Sequence, residues 1–220
     1  AAYPRLLMPR QVWGRFPFWQ KFLFVRAVGY TAHSRCAIFD AVRRDVYLRA
    51  GGFNERMFFA GCGIGGEDND AQVRFAKFGG QLFTKARVIH LHRFSSNYGL
   101  GDYLSFRALL ARTYGKQLRW QRGLADASEL LFFVRPALAF LPLAALAGFA
   151  VSPGSGWCAL AAAVSLQIAF AVIVSRKMFT SCATILDPRI VAVVPVAIFM
   201  VYYETFWFFH GLFTPFRFKK

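Results

Sequence analysis

The chain has 220 residues, 56% of them hydrophobic, 18% aromatic and only 17% charged, which excludes an ordinary soluble domain built around one uniform core. Its 27 Lys and Arg exceed its 11 Asp and Glu by 16, yet only 7 of those bases and 3 of those acids follow Ser128, leaving 20 and 8 before it. A basic, mixed half joined to an apolar, nearly uncharged half points to an anionic membrane surface, not nucleic acid, as the partner of that charge.

Taken in chain order, the sequence opens on Ala1-Ala2-Tyr3-Pro4-Arg5 without a signal-peptide pattern, and is expected to start inside a longer polypeptide. Phe16 to Ala27 is rich in aromatic and basic residues and reads as an interfacial or acceptor-loop segment. The four cysteines (Cys36, Cys62, Cys158 and Cys182) form no CxxC pair, so neither a zinc site nor a disulfide framework is expected.

From Cys36 to Ser96 short apolar runs alternate with glycines in the manner of a compact α/β unit. Ala41 to Ala50 predicts a strand end running into a short helix that Gly51-Gly52 stops. Asn69 to Phe78 predicts a second helix, stopped by Gly79-Gly80. Gln81 to Ile89 then predicts a strand with Leu82, Phe83, Val88 and Ile89 as its buried positions.

Two clusters in this unit carry candidate chemistry. In Gly65-Gly66-Glu67-Asp68-Asn69-Asp70 the glycines permit close backbone approach to a ligand. The acids sit at a helix N-terminus, which favours their ionised form, the form a general base needs. Plain N-capping by Asp68 or Asn69 is the alternative. In His90-Leu91-His92-Arg93 two imidazoles on one strand face could ligate a divalent metal, and Arg93 has the donor fork that suits a diphosphate. A polar strand end without metal is the other reading of that cluster.

Val42-Arg43-Arg44-Asp45, Ala50-Gly51-Gly52-Phe53-Asn54-Glu55, Gly65-Gly66-Glu67-Asp68-Asn69-Asp70 with Arg74, and Ala86-Arg87-Val88-Ile89-His90 form an ordered series. Over about residues 35 to 100 it resembles the C-terminal half of a family 2 glycosyltransferase catalytic domain. The resemblance implies an α/β fold of the nucleotide-diphospho-sugar transferase (GT-A) type, followed by transmembrane helices. It also implies an acceptor-side site, with Gly65, Gly66 and Asp70 lining the substrate, Asp68 as catalytic base and Glu67 contacting the acceptor or positioning that base. His90 would be a ligand of a divalent metal, Mg2+ or Mn2+, and Arg93 a diphosphate contact. The complete protein would then move a sugar from a nucleotide-sugar donor to a lipid or glycan acceptor with inversion. That family's nucleotide-binding strands and Asp-x-Asp motif precede the matched part, and no Asp-x-Asp precedes Glu67 here, so the chain is expected to be a C-terminal portion that binds nucleotide weakly by itself. A noncatalytic membrane-anchored scaffold or truncated remnant of such an enzyme is the competing expectation.

Beyond residue 100 a basic stretch, residues 101–128, contains Lys116-Gln117-Leu118-Arg119-Trp120. It resembles the Gln-x-x-Arg-Trp signature of processive membrane transferases, with Lys116 where the first Gln would stand, and implies substrate contacts for Arg119 and Trp120. The same residues also read as a juxtamembrane helix turning Arg112, Lys116, Arg119 and Arg122 to lipid phosphates. Three apolar runs follow within residues 129–220: Leu130 to Val151, Trp157 to Ser175 and Ile190 to Phe213. Each is long enough to cross a hydrocarbon core of about 30 Å. The first link, Ser152 to Gly156, is uncharged, whereas the second carries Arg176, Lys177 and Arg189 against Asp187. The positive-inside rule then puts the basic link and the N-terminal half in the cytoplasm, in a multi-pass membrane protein. Arg217, Lys219 and Lys220 after the last run run against three full crossings, and that run could lie partly in the interface. Glu204 inside it reads as a protonated or interface-facing residue, with no partner cation evident at its depth.

Overall fold

A computed structural model describes residues 2–25, 28, 32–33, 41–53, 71, 74–80, 82–89, 96–121 and 130–214. Strand β1 (Ala2–Leu7), helices α1 (Arg10–Gly14) and α2 (Phe18–Leu23), strand β2 (Ala32–His33), helix α3 (Arg44–Arg49) and strand β3 (Leu82–Ile89) precede four long helices. Those are α4 (Leu100–Gln121), α5 (Leu130–Val151), α6 (Pro153–Phe179) and α7 (Val193–Phe213), the last entered through a short 3-10 turn at Pro188–Ala192.

This architecture corrects the expected fold class. The long helices have 22, 22, 27 and 21 residues, against strands of 6, 2 and 8. The strands make one small mixed sheet of order β2-β1-β3, with β1 antiparallel to β2 and parallel to β3. The described residues are therefore predominantly helical and do not form an α/β fold of the GT-A type. The physical reason lies in the length of the apolar periodicity after residue 100, which outweighs the short runs before it.

Locally, several elements follow the residue pattern. Helix α3 ends where Gly51 and Gly52 take φ of 79° and 64°, a left-handed conformation open to glycine, and the Gly52 N–H closes the end on the Tyr47 carbonyl at 3.0 Å. Residues 74–76 are helical within the second expected helix. Strand β3 falls on the expected segment, but Leu82 is 63% exposed and is not one of its buried positions.

Among the long helices, α5 and α6 form an antiparallel hairpin with a single residue, Ser152, between them. The Ser152 hydroxyl caps α6 by accepting the Ser155 N–H at 3.1 Å, and Pro153 follows in the first helical position, where a missing N–H costs nothing. Gly148 and Gly156 lie against each other and let the hairpin close at its tip. Further along, Gln167 Nε2 donates to the Leu138 carbonyl at 2.8 Å and to the Tyr202 hydroxyl at 2.7 Å, joining α5, α6 and α7. Asp187 starts the 3-10 turn by accepting the Arg189 N–H at 3.0 Å.

Helix α7 buries Val193, Ala197, Met200, Val201, Glu204, Thr205, Phe208 and Gly211, a stripe at helical spacing. Phe199, Phe206 and Phe213 stay exposed on the other side. The aromatic segment from Phe16 onward is not spread over a surface. Trp13, Phe16, Phe18, Trp19 and Phe22 are buried with Tyr103 of α4, Met178 of α6 and Val193 and Met200 of α7. Trp13 Nε1 holds that segment together by donating to the Lys21 carbonyl at 2.8 Å. Lys21 Nζ in turn donates to the Ala183 carbonyl at 3.0 Å in the link before the 3-10 turn.

Candidate functional site

Helix α4 runs beside α7 in the same direction, and this pairing builds the most unusual chemistry in the described residues. Asp102 steadies the start of α4 by accepting the Gly99 N–H at 2.8 Å. Gly115 faces the backbone of Phe208 and Leu212, and Gly211 faces the backbone of Arg112. A Cβ at either glycine would overlap the opposite carbonyl, so the two helices touch backbone to backbone.

One turn or two before that crossing lies an ion cluster. Arg107 Nε of α4 donates to Glu204 Oε1 at 2.7 Å, and Arg135 of α5 donates to Glu204 Oε2. Glu204 is only 5% exposed, and each of its two carboxylate oxygens accepts from one of those guanidinium groups. Burial opposes the charge on Arg107, but Glu204 beside it holds its pKa above the ordinary arginine value. Tyr103, one turn earlier on α4, is pushed up to about 12 by burial. Tyr98 is likewise raised to about 12, by burial and by the Asp102 charge. The sequence reading of Glu204 is thereby corrected: two cations face it, from two different helices.

A cavity of about 190 Å3 opens at the cluster between α4, α5 and α7, bounded by Arg107, Tyr114, Arg135, Glu204 and Phe208. Beside it, with Thr205 as a shared wall, an apolar groove of about 650 Å3 runs between α5 and α7. Phe140, Tyr202, Phe206, Phe209 and Phe213 line that groove.

Of the residues singled out from sequence, Gly65, Gly66, Glu67, Asp68, Asp70, His90 and Arg93 lie outside the described residues. Arg119 lies near the end of α4, exposed, and donates to the carbonyls of Leu212 and Phe213 at 3.4 and 3.2 Å, completing the C-terminus of α7. Trp120 is the next residue of α4. Lys116 is 4% exposed and Arg112 half-buried, so α4 turns part of its basic face inward and not wholly to lipid phosphate. Arg122 lies outside the described residues. Among the described residues no three His, Cys, Asp or Glu side chains come together, so they offer no donor set that fits a divalent metal.

Arg107, Gly115 and Gly211 were missed by sequence reasoning. For the Arg135–Glu204 pair the available signal was an arginine in one apolar run and a glutamate in another, since intramembrane charges of opposite sign commonly pair.

Helices α5, α6 and the stretch Pro188–Phe213 are each long and apolar enough to cross a membrane, which places the chain among helical membrane proteins. No family model, no curated protein and no solved structure matches it.

Proposed function

We propose that the chain is the membrane-bound portion of a glycosyltransferase that moves a sugar from a nucleotide-sugar donor to a lipid or glycan acceptor at the bilayer surface. The reading rests on the ordered motifs from Val42 to His90, and one contact supports it most: Arg74, which follows the acidic motif, donates to the carbonyl of Ala50, which opens the Ala-Gly-Gly motif. Two segments of the series are thus held side by side. Strand β3 also ends at Ile89, one residue before His90. In this reading Asp68 deprotonates the acceptor hydroxyl for in-line attack at the anomeric carbon, Glu67 orients it, and Arg93 faces the leaving diphosphate. The spans are multi-pass and the basic half is cytoplasmic, where the Arg176, Lys177 and Arg189 link also lies.

Membranes containing the protein in its natural polypeptide, given a panel of radiolabelled sugar nucleotides, should transfer label from at least one donor into a lipid-extractable or glycan product. Labelling no greater than in membranes without the protein, for every donor, would overturn the reading.

A further inference from the structure

We infer that the link between α6 and α7 is a membrane-docking face: Ile185, Leu186 and Val191 enter the boundary between headgroups and acyl chains of an anionic leaflet, and the basic side chains around them meet lipid phosphates. Three observations carry this inference, and neither the transferase reading nor full crossing by α7 enters it.

The first is position. Helix α6 ends at Phe179 and the next apolar stretch begins at Pro188, so residues 180–187 join two segments that are each long and apolar enough to cross a membrane. Fully extended, such a link reaches about 28 Å, and one that leaves and returns to the same surface rises at most about half of that. Its side chains therefore stay within reach of the headgroups.

Exposure is the second. Leu186 is 88% exposed, Val191 78% and Ile185 49%, whereas Thr184 and Val193 on either side of them are buried. A fixed turn holds them outward. The Thr184 hydroxyl donates to the Met178 carbonyl at 2.5 Å, the Asp187 N–H to the Thr184 carbonyl at 3.0 Å and the Ile190 N–H to the Asp187 carbonyl at 2.9 Å. From α2, Lys21 Nζ clamps the Ala183 carbonyl at 3.0 Å. Three large apolar side chains kept outside the core by an ordered backbone fit a hydrocarbon boundary better than water.

The third is charge, which selects the lipid. Arg176 and Lys177 lie in the last turn of α6, Arg189 lies in the 3-10 turn and Lys21 is docked on the link. Among the described residues of the link itself the one carboxylate is Asp187, which Arg189 pairs through two contacts of 2.8 and 2.7 Å. Arg189 also covers the ring of Phe18 at 5.0 Å, placing a cation directly over the buried aromatic cluster. Cations set around outward apolar side chains are the composition of an interfacial segment that prefers anionic lipid.

The test reconstitutes the protein in nanodiscs of phosphatidylcholine and phosphatidylglycerol. A nitroxide is placed by Leu186→Cys after the four native cysteines are replaced by alanine. It should collide more often with oxygen, which concentrates in the bilayer, than with a water-soluble nickel chelate. Val191→Cys gives the same measurement if Leu186→Cys does not fold. Collision mainly with the nickel chelate would overturn the inference, as would shielding from both reagents, the mark of a second copy or a protein packed on the link. In parallel, spin-labelled phosphatidylglycerol should associate with the protein about fivefold more strongly than spin-labelled phosphatidylcholine, and Arg176→Gln should lower that preference by about twofold or more. Equal association of the two lipids, or a preference unchanged by Arg176→Gln, would overturn the assignment of an anionic leaflet to this face.

Discussion

Arg107 Nε and Glu204 Oε1 stand 2.7 Å apart although 97 residues separate them in sequence, and this contact ties a polar helix to an apolar one. Arg135 completes the cluster from a third helix. Removing only the carboxylate leaves two buried cations facing each other. Glu204→Leu should therefore cost about 3–5 kcal/mol of stability, and the triple change Arg107→Leu, Glu204→Leu, Arg135→Leu should cost less than Glu204→Leu alone. Thermal unfolding in detergent, followed by circular dichroism, measures both.

Close backbone contact between Gly115 and Phe208, and between Gly211 and Arg112, leaves no room for a side chain. Gly115→Val or Gly211→Val should force α4 from α7 and destabilise the protein by about 1–3 kcal/mol or more, whereas Gly101→Ala, in open space on the same helix, should be neutral or mildly stabilising. Limited proteolysis at the α4–α5 connection, compared across the three variants, reports the separation.

Tyr103 gives a pH signature. Its hydroxyl is held neutral by burial, with a folded pKa of about 12 against an ordinary 10.0. The folded value is the higher one, so the associated stability is complete below pH 10 and is lost as pH rises toward about 12, amounting to about 2–3 kcal/mol for this group. Tyr103→Phe should flatten that part of the alkaline stability curve, leaving only the contribution of Tyr98. Tyrosinate absorbance during titration gives an independent check, with Tyr103 ionising only as the fold opens.

The hairpin α5–α6 and the helix α7 were legible from apolar run length, because about 20 apolar residues in a row suit little besides a membrane helix. Likewise, Gly51-Gly52 announced the end of α3, since left-handed φ is a property written in residue type. What could not be read was partnership across distance. Nothing near Arg107 in sequence marks Glu204 as its partner, and Gly115 looks like an ordinary helix-weakening glycine until α7 lies against it. Short apolar runs between Cys36 and Ser96 suggested a whole α/β layer, yet the described strands make only three members, one of them two residues long. Short runs carry too little periodicity to say how many neighbours a strand will find. Of the candidate catalytic cluster, Arg74 is the residue with a described contact, to Ala50.

Sugar transfer by membranes carrying Asp68→Asn is the most direct test of the functional account. An isosteric amide cannot take up a proton, so transfer from the nucleotide sugar should fall by about 10²-fold or more while the protein stays in the membrane fraction with unchanged thermal stability. Transfer at the wild-type rate in Asp68→Asn would contradict the account.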